Sequence, residues 1–182
     1  MPPVHRTGPR LALRELEPAD GDGVFAVYGD PVATRHLSFE PRTRDQAEGI
    51  VARSIASATE VPRTEYAVAV VEHHGPLVGF GRLALDPHQL RGTTFGFALR
   101  PDVWGRGYGV ETVRLLLGLG FDGLGLHRIW GARAPMNVAS AATMTAAGMV
   151  EERRIREHVH KAGAWRDSVV HAMLDREWQR IT

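Results

Sequence analysis

The strongest constraint on the fold is a change in hydrophobic period near Gly107. Before it, three runs at residues 66–72, 77–85 and 93–100 are rich in strand-forming residues and are separated by turn-forming residues. After it, apolar residues recur about every 3.6 positions, as they do along one face of a helix. The sequence therefore predicts an antiparallel meander that leads directly into a helix over residues 107–123.

The rest of the chain reads as a further mixture of strands and helices. Thr43 is a suitable N-cap residue for a helix, and Gly148 is a suitable residue to follow the end of one. The predicted strands cover residues 10–16, 127–134, 150–160 and 168–174, and the predicted helices end near residues 28, 57 and 147. This order predicts an α+β fold with a central mixed, mostly antiparallel sheet flanked by helices, and one parallel crossover through the 107–123 helix.

Length and composition exclude several classes of protein. The 182 residues suit one domain, residues 1–182. Cysteine is absent, which excludes disulfides, zinc–thiolate sites, iron–sulfur clusters and a cysteine nucleophile. A net charge of +1 and the lack of a run of ~18 apolar residues predict no nucleic-acid partner and no membrane partner. We expect a cytoplasmic protein, because the first residues lack the apolar core of a signal peptide.

Glycine is abundant, and one glycine cluster imitates a nucleotide-binding motif. Residues 118–123 fit the pattern G-x-G-x-x-G of dinucleotide-binding folds. That motif requires a strand before it and a helix that begins within it, whereas here a helix precedes and a strand follows. We interpret Gly120 and Gly123 as residues that lie in and end the helix, with Gly125 in the loop that follows.

A second glycine cluster, Trp104-Gly-Arg-Gly-Tyr-Gly109, lies between a predicted strand and the 107–123 helix. The free N–H groups of a first helical turn attract anions, and small residues let a pyrophosphate approach the backbone. Arg106 would add a positive charge. A tight strand-to-helix turn that needs glycine for positive φ explains the same residues. Both interpretations stay open at this point.

Several spaced motifs resemble the GNAT superfamily of acyl-CoA-dependent N-acetyltransferases. The resemblance covers nearly the whole chain, and its Trp-Gly-x-Gly-Tyr loop is similar to the branch that acetylates ribosomal-protein N-termini and many small amines. The segments that carry the resemblance are residues 97–111, Leu126-His-Arg-Ile-Trp130, Asn137-Val-Ala-Ser140 and Ala146-Ala-Gly-Met149.

The resemblance implies acetyl-CoA as co-substrate and no metal. The glycine loop would bind the coenzyme pyrophosphate through backbone N–H groups, and a strand edge would pair with the pantetheine amide. Ser140 would donate a hydrogen bond to the departing sulfur, and a backbone N–H of the strand would stabilise the oxyanion. The implied coenzyme-binding residues are Phe97, Ala98, Leu99, Gly105, Arg106, Gly107, Tyr108, Gly109, Val110 and Asn137.

The implied reaction transfers an acetyl group to a primary amine by direct attack on the thioester. Thr94, Ala132 and Met144 occupy positions where relatives carry acid–base residues. The candidate bases on the last hairpin are Glu157, His158, His160 and Asp167, and deprotonation through water is an equal possibility. Glu157 is taken as the catalytic base because the resemblance implies that this hairpin lines the acceptor cleft. His158 and His160 alternate there; we interpret them as surface histidines rather than a metal pair, since no third ligand is evident.

Alternatives to this function are an acyl-CoA-binding module without catalysis and a transferase that uses another acyl donor. The acceptor would be a peptide or small-molecule amine: a protein N-terminus, an amino acid, a polyamine or another small amine. Its pocket would be shaped by residues 35–42, residues 86–92 and the last hairpin. An exposed strand on that hairpin would suit a homodimer.

Overall fold

The strands form a single eight-stranded sheet in the computed structural model, which describes residues 3–182. Their spatial order is β1-β2-β3-β4-β5-β6-β8-β7, and of these described strands only β5 and β6 run parallel. The strands are β1 (His5–Thr7), β2 (Leu11–Glu15), β3 (Glu65–Glu72), β4 (Leu77–Leu85), β5 (Gly92–Leu99), β6 (Arg128–Arg133), β7 (Val150–Lys161) and β8 (Ala164–Leu174). The predicted meander and its parallel crossover are confirmed.

Helices cover both faces of the sheet. They are α1 (Gly21–Tyr28), α2 (Pro31–Thr34), α3 (Arg44–Ala58), α4 (Tyr108–Gly118), α5 (Val138–Ala146) and α6 (Asp175–Trp178). A π-helical turn, Leu119–Gly123, extends α4 and contains the G-x-G-x-x-G sequence, so the interpretation of these glycines as the end of a helix is confirmed. In the described residues 3–182, no helix is both long and apolar enough to cross a membrane.

Two apolar cores hold these layers together. The larger one includes Leu13, Leu83 and Leu116 and lies between the sheet and α4, whereas the smaller one includes Val27 and Phe80 and lies between the sheet and helices α1 and α3. Successive residues of a strand point to opposite faces, so each central strand contributes to both cores. The centre of the sheet, where β4 and β5 lie, is therefore packed on both faces.

The strands β5 and β6 separate along their length. Gly92–Thr94 of β5 pairs with residues 128–130 of β6, and beyond that point β6 pairs only with β8 among the described strands. The gap between β5 and β6 therefore opens toward the carboxyl ends of both strands. Residues 86–92, expected at the acceptor pocket, lie instead at the closed end, where the carbonyl oxygen of Arg91 accepts from the N–H of His127 at 2.8 Å. That part of the prediction is wrong.

Candidate functional site

The edge of β5 that faces the gap carries free backbone groups. The N–H of Arg100 donates to the carbonyl oxygen of Val78 at 2.9 Å, which fixes the alternation of the hydrogen bonds between β4 and β5. By that alternation Ala98 points its amide groups toward β4, whereas Phe97 and Leu99 point theirs into the gap. Two of the three predicted strand residues thus offer backbone groups to a ligand, and the backbone of Ala98 does not.

Trp104 closes the far end of this edge. Its indole Nε1–H donates to the carbonyl oxygen of Leu99 at 3.0 Å, while half of the side chain stays exposed. Since no other described residue bonds to the gap-facing groups, the N–H and the carbonyl of Phe97 and the N–H of Leu99 stay available. An extended amide-bearing chain that enters the gap could pair with them as an added strand.

Next to Trp104, the glycine loop presents a row of unpaired N–H groups. Gly105 and Gly107 adopt φ values of 75° and 79°, in the left-handed region that favours glycine. Within residues 3–182, no acceptor bonds to any backbone N–H from Gly105 to Val110. The interpretation as a turn that needs glycine is confirmed, and the interpretation as an anion site stays a prediction, compatible with a turn that leaves the first N–H groups of α4 unpaired.

Two residues that sequence reasoning missed, Arg10 and Glu111, hold this loop in place. Glu111 is a charged residue in the first turn of α4, yet it is only 8% exposed. Its Oε1 accepts from the N–H of Arg10 at 2.7 Å and from the N–H of Leu11 at 2.8 Å. Its Oε2 accepts from the Arg10 Nε–H at 2.9 Å, and Arg10 Nη1 donates to the carbonyl oxygen of Arg106 at 2.7 Å.

The electrostatics of Glu111 follow from these contacts. Burial alone would raise its pKa, but the two backbone N–H donors and the Arg10 guanidinium lower the pKa overall. Glu111 is thus a charged buried anchor that joins the start of β2 to the first turn of α4. The side chain of Tyr108 adds a second tie, because its hydroxyl donates to a carboxylate oxygen of Glu72 at 2.7 Å.

Helix α5 lies against the first turn of α4. A Cβ added at Gly109 would approach Thr143 Cγ2 to 3.1 Å, so the two helices meet closely there. Asn137 caps α5, because its Oδ1 accepts from the N–H of Ser140 at 3.1 Å. No described residue bonds to the Ser140 hydroxyl, and this side chain is half-buried. The structure therefore brings Thr143 of α5, about one turn after Ser140, next to Gly109 of the glycine loop.

The segment before Asn137 is fixed by a buried histidine. His171, 1% exposed, accepts a hydrogen bond at Nε2 from Arg133 Nε at 3.1 Å. Arg133 Nη1 in turn donates to the carbonyl oxygens of Ala134 and Pro135 at 3.3 and 3.0 Å. Burial, together with the Arg133 charge, lowers the pKa of His171, which favours the neutral imidazole that this arrangement requires.

The three positions where relatives carry acid–base residues hold side chains that do not titrate near neutral pH. Thr94 is half-buried and its hydroxyl lies 3.5 Å from the carbonyl oxygen of Ala84. Ala132 is exposed at the gap end of β6, and Met144 is only 2% exposed within the larger core. A general base, where one acts, must come from elsewhere.

The tentative base Glu157 lies on β7, which β8 separates from β6. The β7–β8 register shifts between Ile155 and Val159, and Glu157 adopts a φ of 47° within this bulge. Its N–H donates to Asp167 Oδ1 at 2.9 Å, and its carboxylate is exposed. No contact in the described chain joins Glu157 to Ser140 or to β5, so the structure does not bring the two proposed catalytic residues together.

The same bulge changes the surroundings of the two histidines. The expectation of a regular strand at His158 is wrong, because three residues of β7 lie opposite Asp167. His160 packs its ring edge-on against Trp165, with 5.1 Å between ring centroids. Among residues 3–182 no three His, Asp or Glu side chains gather in a group that could hold a metal ion.

Comparison with known proteins agrees with this arrangement. The family profile described as an acetyltransferase (GNAT) domain matches residues 10–150. The FsC-acetyl coenzyme A-N(2)-transacetylase of Aspergillus fumigatus is 30% identical over 182 residues, which cover 94% of this chain and 77% of that protein. An uncharacterized N-acetyltransferase of Bacillus licheniformis is 26% identical over 170 residues, which cover 93% of this chain and 95% of that protein.

Solved structures show the same fold. The spermidine N-acetyltransferase from Vibrio cholerae, in complex with CoA and spermine, superimposes with a TM-score of 0.82. The two sequences are 21% identical, and the superposition covers 94% of this chain and 99% of that one. At this identity the likeness concerns the fold.

Proposed function

The chain belongs to the GNAT acetyltransferase family, and on that premise we propose that it acetylates a primary amine by direct attack of the amine on the thioester of acetyl-CoA. The observation that carries the proposal is the free edge of β5 next to the unpaired N–H groups of Gly105–Val110. The first suits an extended pantetheine arm and the second suits a pyrophosphate. Both lie where one coenzyme could contact them at once.

In the proposed reaction, the neutral amine nitrogen attacks the thioester carbon and the C–S bond then breaks. The amine loses a proton, and the thiolate of CoA leaves and takes up a proton. A gap-facing N–H of Phe97 or Leu99 would stabilise the negative charge that develops on the carbonyl oxygen. The hydroxyl of Ser140, which has no described partner, would donate to the departing sulfur, and Asn137 would contact the pantetheine arm.

The assignment to the branch that acetylates ribosomal-protein N-termini and small amines is part of the same proposal. The Trp-Gly-x-Gly-Tyr loop and the Asn137–Ser140 spacing support it. Glu157 stays the candidate base, and deprotonation through water is an equal candidate. The homodimer stays a prediction as well, supported by the position of β7 at an exposed edge of the sheet.

The test is an amine panel incubated with acetyl-CoA, read by release of free thiol and by product mass. We expect thiol release with at least one amine, and a turnover about tenfold lower after Ser140→Ala, as the loss of one hydrogen bond in the transition state implies. The affinity for CoA should not change. Thr145→Ala, which removes an exposed hydroxyl from the same helix, is the matched control.

Two outcomes would contradict parts of the proposal. Coenzyme binding without thiol release from any amine would favour a binding module over an enzyme. Equal turnover of Ser140→Ala and Thr145→Ala would remove Ser140 from the reaction. Glu157→Gln tests the base separately, because a catalytic base implies a turnover that falls by at least tenfold, whereas deprotonation through water leaves it unchanged.

A further inference from the structure

A second open space adjoins the gap on the face of the sheet opposite α4. Ala98 of β5 packs in the smaller core beneath α1 and α3, so Gly96, two residues earlier, faces the same side. Gly96 is exposed, and no atom lies within 4 Å of a Cβ built on it. Given the proposed function, on which this inference rests, this face is the free side from which an amine reaches the thioester.

A short segment, Thr34–Leu37, crosses this face and is held by two cations from the last hairpin. Lys161 Nζ donates to the carbonyl oxygens of Thr34 and Arg35 at 2.8 and 3.2 Å. Arg166 Nη2 donates to those of His36 and Leu37 at 3.0 and 2.8 Å. Since α2, which ends at Thr34, packs against β5, the segment spans from β5 to the hairpin.

The cations around this segment lack acidic partners. Neither Lys161 nor Arg166 nor Arg35 forms an ion pair within 4 Å in residues 3–182. The Arg166 Nε–H is buried and has no acceptor in the described chain. An unpaired cation that is partly withdrawn from water attracts an anion. The pKa of His36 is lowered by its burial and by the charges of Arg35, Arg166 and Lys161, which places all of these cations close together.

Carboxylates are scarce on the same face. Cross-strand partners share a face, so Thr94, Gly96, Ala132 and Ser168 lie near the gap on this side, and Arg82 of β4 lies opposite Gly96. Glu65 of β3 shares this face, but its carboxylate is paired with Arg82, whose Nε donates to it at 2.8 Å. The adjoining segment contributes one acid, the exposed Glu40, whose charge acts on Lys161 without an ion pair. The face is therefore positively charged overall.

We infer that the acceptor is an amine that carries an acidic side chain close to its amino group, and that Arg166 and Lys161 select that side chain by charge. Free acidic amino acids and acidic peptide N-termini share this chemistry. A polyamine meets like charge on the same face and is disfavoured. The positive surroundings also disfavour the ammonium form of the acceptor, so the reaction has less need of a dedicated catalytic base to deprotonate it.

The experiment compares kcat/KM for acceptors of similar shape and different charge, with acetyl-CoA as donor and free thiol as readout. The free amino acids are glutamate and glutamine, the peptides are short and begin with Ser-Glu-Glu or Ser-Gln-Gln, and spermidine is the polycation. We expect the acidic member of at least one pair to be preferred by about tenfold or more, as a hydrogen-bonded charge implies. The pair that shows the preference identifies the source of the carboxylate.

Variants separate charge selection from a purely structural role of the hairpin. Arg166→Gln should abolish the preference for the acidic member of the pair, and Arg166→Lys should retain most of it. If the substitution only loosened the segment, kcat/KM would fall equally for both members of the pair. Arg180→Gln is the matched control, because Arg180 follows α6 beyond the opposite end of β8 and its side chain has no described partner.

The outcomes for the two proposals differ. The inference would be overturned if kcat/KM for spermidine, or for the neutral members of both pairs, equalled that for the acidic members. The acetyltransferase proposal would still stand in that case. An unchanged preference in Arg166→Gln would also overturn the inference. Failure of every amine to release thiol would instead refute the proposed function and, with it, the inference.

Discussion

The substitution Glu111→Gln tests how the buried carboxylate supports the glycine loop. Glu111 Oε1 accepts two backbone N–H groups, and Oε2 accepts the guanidinium of Arg10, which also holds the carbonyl oxygen of Arg106. A glutamine can keep its carbonyl oxygen on the two N–H groups. Its NH₂ group would then face the Arg10 donor, so the link to the loop would be lost.

The size of the effect follows from the contacts. Arg10 is about half exposed, with 48% of its side chain accessible, so the loss of this ion pair costs about 1 kcal/mol. Replacing a charged acceptor by a neutral one weakens each of the two backbone bonds by roughly 0.5–1 kcal/mol. The free energy of unfolding should therefore fall by about 2–3 kcal/mol, which for a chain of this length lowers Tm by about 5–10 °C.

The assay is thermal unfolding of both proteins, together with calorimetric titration of CoA. CoA should bind more weakly to Glu111→Gln, because Arg106 loses its anchor. The folded state lowers the Glu111 pKa below 4.5, so its stabilisation is present above that pH and is lost as pH falls through the folded pKa. The difference in Tm should narrow accordingly at acid pH.

Asp22→Asn, which removes the acid of the exposed pair with Arg44, is the matched control and should change Tm little. Equal Tm values for Glu111→Gln and the wild type would refute the account of the buried anchor. A lowered Tm with unchanged CoA affinity would refute its link to the loop.

Three further predictions concern the coenzyme, the acceptor and pH. Gly107→Val should abolish calorimetric CoA binding, whereas Gly163→Val, with a similar φ of 77° at the hairpin tip, shares the backbone strain and should bind normally. Gly96→Val should block acceptor use in the thiol assay and leave CoA affinity unchanged, and acceptor use at the wild-type rate would place the acceptor elsewhere. Because the folded state lowers the His171 pKa below 6.5, the unfolded state binds its proton first, and stability should fall as pH drops below 6.5. Denaturant titrations of His171→Gln should show a weaker fall over this range, and an equal fall would contradict the role given to His171.

Local rules predicted most of the fold. Thr43 caps α3 as predicted, because such capping depends only on neighbours in sequence, and the structure adds a reciprocal hydrogen bond from the Thr43 N–H to Gln46. The helix between β5 and β6 implied their parallel pairing, because a crossover of that kind is the usual route between parallel strands. The elements that the sequence did not predict, β1, α2 and α6, are only three or four residues long and carry too little periodicity to detect.

The sequence predicted the part of the candidate site that consists of backbone groups. It did not predict the part that depends on side chains from distant segments. The glycine loop was visible because the glycines mark a turn before a helix. Glu111 was not, since its partners lie about a hundred residues earlier in β2, and no local pattern reports them. The bulge at Glu157 and the hydrogen bond from Arg166 to the carbonyl oxygen of His36 likewise depend on tertiary packing.

The most direct test of the central claim is to observe the backbone amides of Gly105–Val110 by NMR in nitrogen-15-labelled protein. We expect CoA to shift these resonances strongly to low field, because a pyrophosphate accepts their hydrogen bonds, whereas pantetheine, which lacks the pyrophosphate, should not shift them. Unchanged Gly105–Val110 resonances at saturating CoA, with the shifts located elsewhere, would contradict the claim.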